Sequence, residues 1–207
     1  DMIVIRHPVS GAPQYVANQV KIPVINAGDG LHEHPTQGLL DLFTLQQAVG
    51  RVEGRRVLIV GDITHSRVAR SNIWGLLKLG AEVRLCGPAT LLPPGIERLG
   101  ARVYDSLDEA LEGVEVVNVL RIQLERQQSG LFPSLREYSE RFGISARRLE
   151  AAAPGVRVMH PGPMNRGLEI SPEVADAGYS LITSQVTNGV AVRMALLYLL
   201  LGGGQVG

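Results

Sequence analysis

Short apolar runs alternate with helical stretches along the chain. The runs at residues 3–5, 24–25, 57–60, 83–85, 114–120 and 156–159 predict buried strands. Between them, residues 36–48, 68–79, 107–111 and 135–142 read as helices. In the first of these, Leu39, Leu42, Phe43 and Gln46 recur at three- and four-residue spacing and are expected to face a core. Ser106 with Glu109, and Ser134 with Glu137, carry the capping-box spacing at two helix starts. Gly50 ends the first helix, Glu53-Gly54 forms a turn, and a new strand opens at Arg56-Val57, so a joint between two units is expected there. Residues 188–201 read as a last helix, stopped by Gly202-Gly203-Gly204. Strand–helix–strand alternation of this kind predicts an α/β fold with parallel sheets and helices on both faces.

Composition narrows the function class. The chain has 207 residues, 45 % apolar and 19 % charged, which suffices for one or two packed units. Its formal net charge is zero, so no strongly basic nucleic-acid surface is indicated. One cysteine, Cys86, follows an apolar run and reads as a strand-end core thiol; this usage fits a cytoplasmic protein. No unbroken apolar stretch reaches the ~18 residues of a membrane span, and no membrane association is expected. Residue 1 is Asp and a strand begins almost at once, which raises the expectation of a truncated chain. Of the 20 basic residues only Lys21 and Lys78 are lysine. Arginine clamps carboxylates and phosphates in two-pronged fashion, but such a bias also arises from codon usage, so each arginine must be judged by position.

Candidate chemistry gathers just after the strands, where ligands collect in parallel α/β sheets. Arg6-His7-Pro8 offers an arginine suited to an anion, although alone it would pass for a surface residue. Asn26-Ala27-Gly28-Asp29-Gly30 is followed by His34-Pro35-Thr36-Gln37. Pro35 suits a first helical turn, which puts His34 at the helix mouth and Gln37 one turn further in. A histidine donor and an amide at a positive helix end suit a polarised carbonyl. Residues 61–67 could pass for a dinucleotide loop, but the G-x-G-x-x-G spacing is absent; Arg67 at the next helix start suits a carboxylate. Arg121 and Gln123 alternate by two and could share one side of an extended segment, with a solvated charged loop as the plain alternative. The prolines and glycines of His160-Pro161-Gly162-Pro163 fix a loop able to present carbonyls, and His160 reads as structural. No metal-ligand spacing, nucleophile elbow or phosphate-loop motif occurs, so no metal or cofactor is expected. What remains suits direct group transfer between two bound anions by positioning and electrostatic stabilisation.

These segments, in this order, resemble the aspartate/ornithine carbamoyltransferase family, and its aspartate branch in particular. In the ornithine branch a His-Cys-Leu-Pro stretch stands where this chain has His160-Pro161-Gly162-Pro163. The resemblance implies two Rossmann-like parallel-sheet α/β domains. Residues 1–34 would be the remnant of the carbamoyl-phosphate domain and 35–50 the interdomain helix. Residues 51–186 would be the complete aspartate domain, with 187–207 a helix returning to the first. It implies carbamoyl transfer from carbamoyl phosphate to the amine of L-aspartate, a step of pyrimidine synthesis. Arg6, His34 and Gln37 would act on the carbamoyl phosphate, joined by Pro161, Gly162 and Pro163, while Arg67, Arg121 and Gln123 would hold aspartate. The family's Ser-Thr-Arg-Thr phosphate loop and lysine-bearing mobile loop would lie upstream of residue 1. A homotrimer with shared sites is implied; a regulatory chain or dihydroorotase partner stays open. Two alternatives are a transcarbamoylase for another amino acid and a non-catalytic structural subunit; the second should have lost Arg6, His34, Arg67 or Arg121, all of which are present.

Overall fold

A computed structural model describes residues 1–122 and 134–203. Among these residues the chain forms two parallel sheets. The smaller pairs β1 (Ile3–His7) with β2 (Val24–Asp29), joined through the short helix α1 (Ala12–Ala17). The larger has five strands: β3 (Arg56–Val60), β4 (Glu82–Cys86), β5 (Arg102–Tyr104), β6 (Val116–Val119) and β7 (Arg157–Met159), in the spatial order β5-β4-β3-β6-β7. The chain therefore starts near the middle, builds outward through β4 and β5, then returns to the other side of β3. That reversal leaves a crevice at the carboxyl ends of β3 and β6.

The apolar runs are continuous because both faces of this sheet are covered. Leu58, Val60, Val117, Val119 and Val158 enter one core with Tyr138 and Phe142. Val57, Ile59, Val83, Leu85 and Val116 enter the other with Leu45, Ile73 and Leu76. The helices α3 (Arg67–Lys78), α4 (Leu107–Leu111) and α5 (Leu135–Phe142) supply much of that cover, and the single turns α6 (Ala146–Leu149) and α7 (Pro172–Ala175) add Leu149, Val174 and Ala175 to it. The Ser106 and Ser134 hydroxyls accept from the backbone N–H of Glu109 and Glu137, as their spacing indicates. Ser66 caps α3 in the same way, accepting from Ala69 N at 3.1 Å. Strand β5 has no counterpart among the apolar runs: it is a three-residue edge strand flanked by Arg102 and Tyr104, with too little burial to show a pattern.

The helix α2 (Pro35–Val49) buries a different side from the one its apolar spacing indicates. Of the expected stripe Leu42 packs against a core, but Leu39 and Phe43 are 46 % and 40 % exposed and Gln46 is exposed too. The covered side is Gln37, Leu40, Asp41, Thr44 and Leu45. The cause is α8 (Ile182–Tyr198), which packs along α2 and offers polar partners. Asn188 Nδ2 donates to Thr44 Oγ1 at 3.0 Å and to Gln47 Oε1 at 2.8 Å, and Gln185 Nε2 donates to Asp41 Oδ1 at 2.8 Å. Hydrogen bonding thus overrides apolar periodicity. Helix α8 also begins six residues ahead of its expected start, before a final turn at Leu199–Gly203. Residues Ile182–Gly202 are long enough, at a mean hydropathy of 1.3, to cross a membrane by length and composition, which qualifies the expectation above. Its buried Gln185 and Asn188, however, are spent on α2.

Strand ends β3 and β4 approach closely at the crevice. A Cβ on Gly87 would stand 2.3 Å from the carbonyl oxygen of Gly61, and backbone on both sides leaves little to yield. Gly87→Ala is therefore expected to destabilise the fold by about 1–3 kcal/mol. A chemical-denaturation midpoint equal to wild type would show that the strands part without penalty.

Candidate active site

The crevice contains a cavity of about 380 Å³. Its walls are Arg6, His34, Gln37, Ser66, Arg67, Val68, Arg121, Pro161, Gly162, Pro163 and Arg193. Residues singled out far apart in the sequence thus meet around one space. Gln123 lies outside the described residues.

Each wall has a local cause. Arg6 sits where the register between β1 and β2 shifts, and its side chain is exposed at that irregularity. Strand β2 then turns through Gly28, at φ 115°, where a Cβ would come within 2.9 Å of the Arg67 guanidinium. Glycine there lets the buried Arg67 lie against the strand end. The turn is closed by Asp29, whose carboxylate accepts from Asn26 Nδ2 and from the backbone N–H of Gly11 and Glu33, with the His32 ring at 3.1 Å. Burial opposes its charge, but the hydrogen bonds, led by Asn26, outweigh it and hold the pKa at about 2. On the other strand end, Asp62 accepts from His65 N and lies 2.9 Å from the His65 ring, so the loop that delivers Arg67 is shaped from within.

His34 precedes Pro35 at the start of α2, as expected, with no side-chain cap. Its backbone N–H donates to Ser71 Oγ at 2.9 Å, which pins the helix mouth to α3. Thr36 Oγ1 lies 3.4 Å from Nδ1, an arrangement suiting a tautomer with its proton on Nε2. Burial, then the charges of Arg67, Arg6 and Arg193, push the His34 pKa down to about 4. The ring is accordingly neutral at physiological pH, and its Nε2–H is available to donate a hydrogen bond without carrying charge. Its contribution to stability is complete above the unfolded value near 6.5 and is lost as pH falls through about 4.

The loop of Pro161, Gly162 and Pro163 is held from behind. His160 and Glu169 are both fully buried as a pair, Nε2 to Oε1 at 3.1 Å. His160 Nδ1 accepts from Gly162 N at 2.9 Å, which fixes the ring's proton on Nε2. Asn165 donates to Glu169 through its backbone N–H and its amide, and reaches across to Ile122 O at 3.1 Å, beside Arg121. The reading of His160 as structural agrees with these partners.

Two groups escaped sequence reading. Arg193 is the one charged side chain in residues 182–203; an arginine isolated in an apolar helix was the available signal. For the buried carboxylate of Asp41 the available signal was its i,i+4 spacing from Gln37; Asn72 and Gln185, which complete its surroundings, are remote in sequence.

The cavity holds four guanidinium groups, a neutral imidazole and an amide, and no acidic side chain stands among its described walls. It suits anionic ligands on both sides of a carbonyl.

Known proteins resemble the chain over both of its parts. Residues 53–200 match the model of the Asp/Orn binding domain of aspartate/ornithine carbamoyltransferase, and residues 1–47 that of its carbamoyl-P binding domain. The chain is 67 % identical over 204 residues to the aspartate carbamoyltransferase catalytic subunit of Pelotomaculum thermopropionicum, covering 99 % of this chain and 66 % of that protein. It is 63 % identical over 203 residues to the same subunit of Heliobacterium modesticaldum, covering 98 % and 65 %. The chain thus spans just under two thirds of the length of these curated relatives. Among solved structures, aspartate transcarbamoylase from Trypanosoma cruzi in complex with carbamoyl aspartate and phosphate superposes with a TM-score of 0.82 at 28 % identity, covering 96 % of this chain and 66 % of that one. Matches over both parts of the chain and a shared fold lead to one assignment: the chain belongs to the aspartate/ornithine carbamoyltransferase family.

Proposed function

We propose that the protein transfers the carbamoyl group of carbamoyl phosphate to the amine of L-aspartate, giving N-carbamoyl-L-aspartate and phosphate. The observation that carries this reading is a cavity whose described walls include four arginines and no acidic residue. Ornithine brings an extra cation, which would meet Arg67, Arg121 and Arg193 with no carboxylate among the described walls. Aspartate brings a second carboxylate, which the same guanidinium groups hold in two-pronged fashion.

In this reading the aspartate amine attacks the carbamoyl carbon, the C–O bond to phosphate breaks, and the departing phosphate is at hand for the amine's proton. His34 donates to the carbonyl oxygen as negative charge gathers there, and Arg6 contacts both that oxygen and the phosphate. Gln37 and the carbonyls of the 161–163 loop hold the carbamoyl NH₂, while Arg67, Arg121 and Gln123 bind the aspartate carboxylates. The same reading divides the chain into a carbamoyl-phosphate part at residues 1–34, a linking helix at 35–50 and an aspartate part at 51–186. It extends to a homotrimer with sites shared between neighbours.

The test is product analysis on the native protein with labelled carbamoyl phosphate. Carbamoyl aspartate is expected with aspartate and nothing with ornithine; ornithine as the better acceptor would overturn the reading. Arg121→Ala should raise the aspartate requirement roughly ten- to a hundredfold, the size of a lost charge-assisted pair, with little change for carbamoyl phosphate. Steady-state titration of each substrate decides it, and an unchanged aspartate dependence removes Arg121 from the carboxylate site.

A further inference from the structure

Gln37 reaches the cavity from a helix side that is otherwise hidden, and what holds it there is Asp41, only 1 % exposed. Gln37 Nε2 donates to Asp41 Oδ1 at 2.9 Å. Gln185 Nε2 donates to the same oxygen at 2.8 Å, and Asn72 Nδ2 donates to Oδ2 at 2.8 Å. Three N–H groups from three helices therefore converge on one carboxylate. A carboxylate can only accept, so each partner must turn its NH₂ toward Asp41. For Gln185 this leaves Oε1 to accept from the backbone N–H of His160 at 2.9 Å, immediately before the 161–163 loop. For Gln37 it leaves Oε1 as the amide atom presented to the cavity. Burial pushes the Asp41 pKa up, against the hydrogen bonds of Asn72, Gln185 and Gln37 and the charge of Arg193, to about 6. The group is thus a carboxylate at neutral pH.

We propose that Asp41 is a positioning residue: by taking the N–H of Gln37 it fixes Oε1 toward the ligand, so that the cavity selects the NH₂ of a carbamoyl group over a methyl group of the same shape. A free glutamine amide can rotate and point either its NH₂ or its oxygen at a ligand; one whose NH₂ is tied to a carboxylate turns its oxygen the other way. Selectivity follows because a group built to accept is left unpaired by a ligand without N–H. The proposal rests on the carbamoyl-transfer reading for the identity of the ligand, and goes beyond it in assigning the choice to a residue that never touches the substrate.

The experiment measures binding of two stable phosphonates to the native protein by calorimetry. One carries a carboxamide, H₂N–CO–CH₂–PO₃; the other is its methyl ketone counterpart. Wild type is expected to prefer the carboxamide by about tenfold, the size of one hydrogen bond. Asp41→Ala, and Asp41→Leu as the better space-filler, should abolish most of that preference. In a Gln37→Ala background, substituting Asp41 should change it no further, which separates positioning through Gln37 from general damage. Asp41 variants that fold and keep the preference overturn the proposal, as does an additive effect of the two sites. If neither Asp41 variant folds, a crystal structure of the native protein with the carboxamide phosphonate decides. Gln37 meeting the ligand's NH₂ while still bonded to Asp41 supports the proposal, and a Gln37 amide turned away from Asp41 overturns it. Failure of both phosphonates to bind wild type overturns the carbamoyl reading itself, and this inference with it.

Discussion

His34→Ala is expected to lower turnover on the order of a hundredfold while changing the apparent affinity for either substrate only modestly. A donor to the carbonyl oxygen matters most when that oxygen carries charge, which happens only in the transition state. The ring is well placed for this because it stays neutral: burial and the charges of Arg67, Arg6 and Arg193 keep its pKa at about 4. Between roughly pH 5 and 8 the rate should therefore show no ionisation attributable to His34. Stopped-assay kinetics across that range, on wild type and variant, test both points. Turnover near wild type in His34→Ala would make the ring a purely structural start for α2. A wild-type inflection near the ordinary histidine value that vanishes on substitution would mean that His34 acts as a charged group.

Glu169→Ala should be the most damaging single change to stability, by about 3–5 kcal/mol. Its carboxylate accepts from Asn165 N at 2.6 Å and Asn165 Nδ2 at 3.1 Å and pairs with His160 Nε2 at 3.1 Å, all around a fully buried group. Truncation would strand several donors away from water and open a void beside them. For a chain of this size the melting temperature should drop roughly 10 °C. Glu169→Gln keeps one acceptor oxygen and should lose less. The same network holds Gly162 through His160, so residual folded protein should also bind the carbamoyl ligand more weakly. Scanning calorimetry with a ligand titration checks this, and a melting temperature within a degree or two of wild type would leave the loop's support to be found elsewhere.

Local chemistry was readable from sequence wherever one segment carried the whole signal. His34 before Pro35 gives a helix mouth, Arg67 after the β3 loop gives a helix head, and Cys86 ends a buried strand; in each case the neighbours in the chain are the neighbours in space. The capping serines belong to the same class, since cap and target are three residues apart. Periodicity failed where the partner was remote. On α2 the apolar spacing points to Leu39 and Phe43, yet the buried side is set by Gln185 and Asn188, more than 140 residues away. A helix with apolar residues on several sides has no unique buried face until something packs on it.

By itself, then, the sequence determined the alternation of parallel strands and helices, most element positions, and the residue types that gather at strand ends. These depend on burial and on backbone preferences that act over a few residues. Tertiary structure alone decided that Arg6, His34, Arg67, Arg121 and the 161–163 loop share one cavity with Arg193, because only the reversal of strand order between β3 and β6 opens a crevice there. It alone decided the role of Asp41 as well. A carboxylate's neighbours fix which atom of each amide faces outward; Gln37 stands one turn away on the same helix, but Asn72 and Gln185 come from two others that no local pattern connects to it.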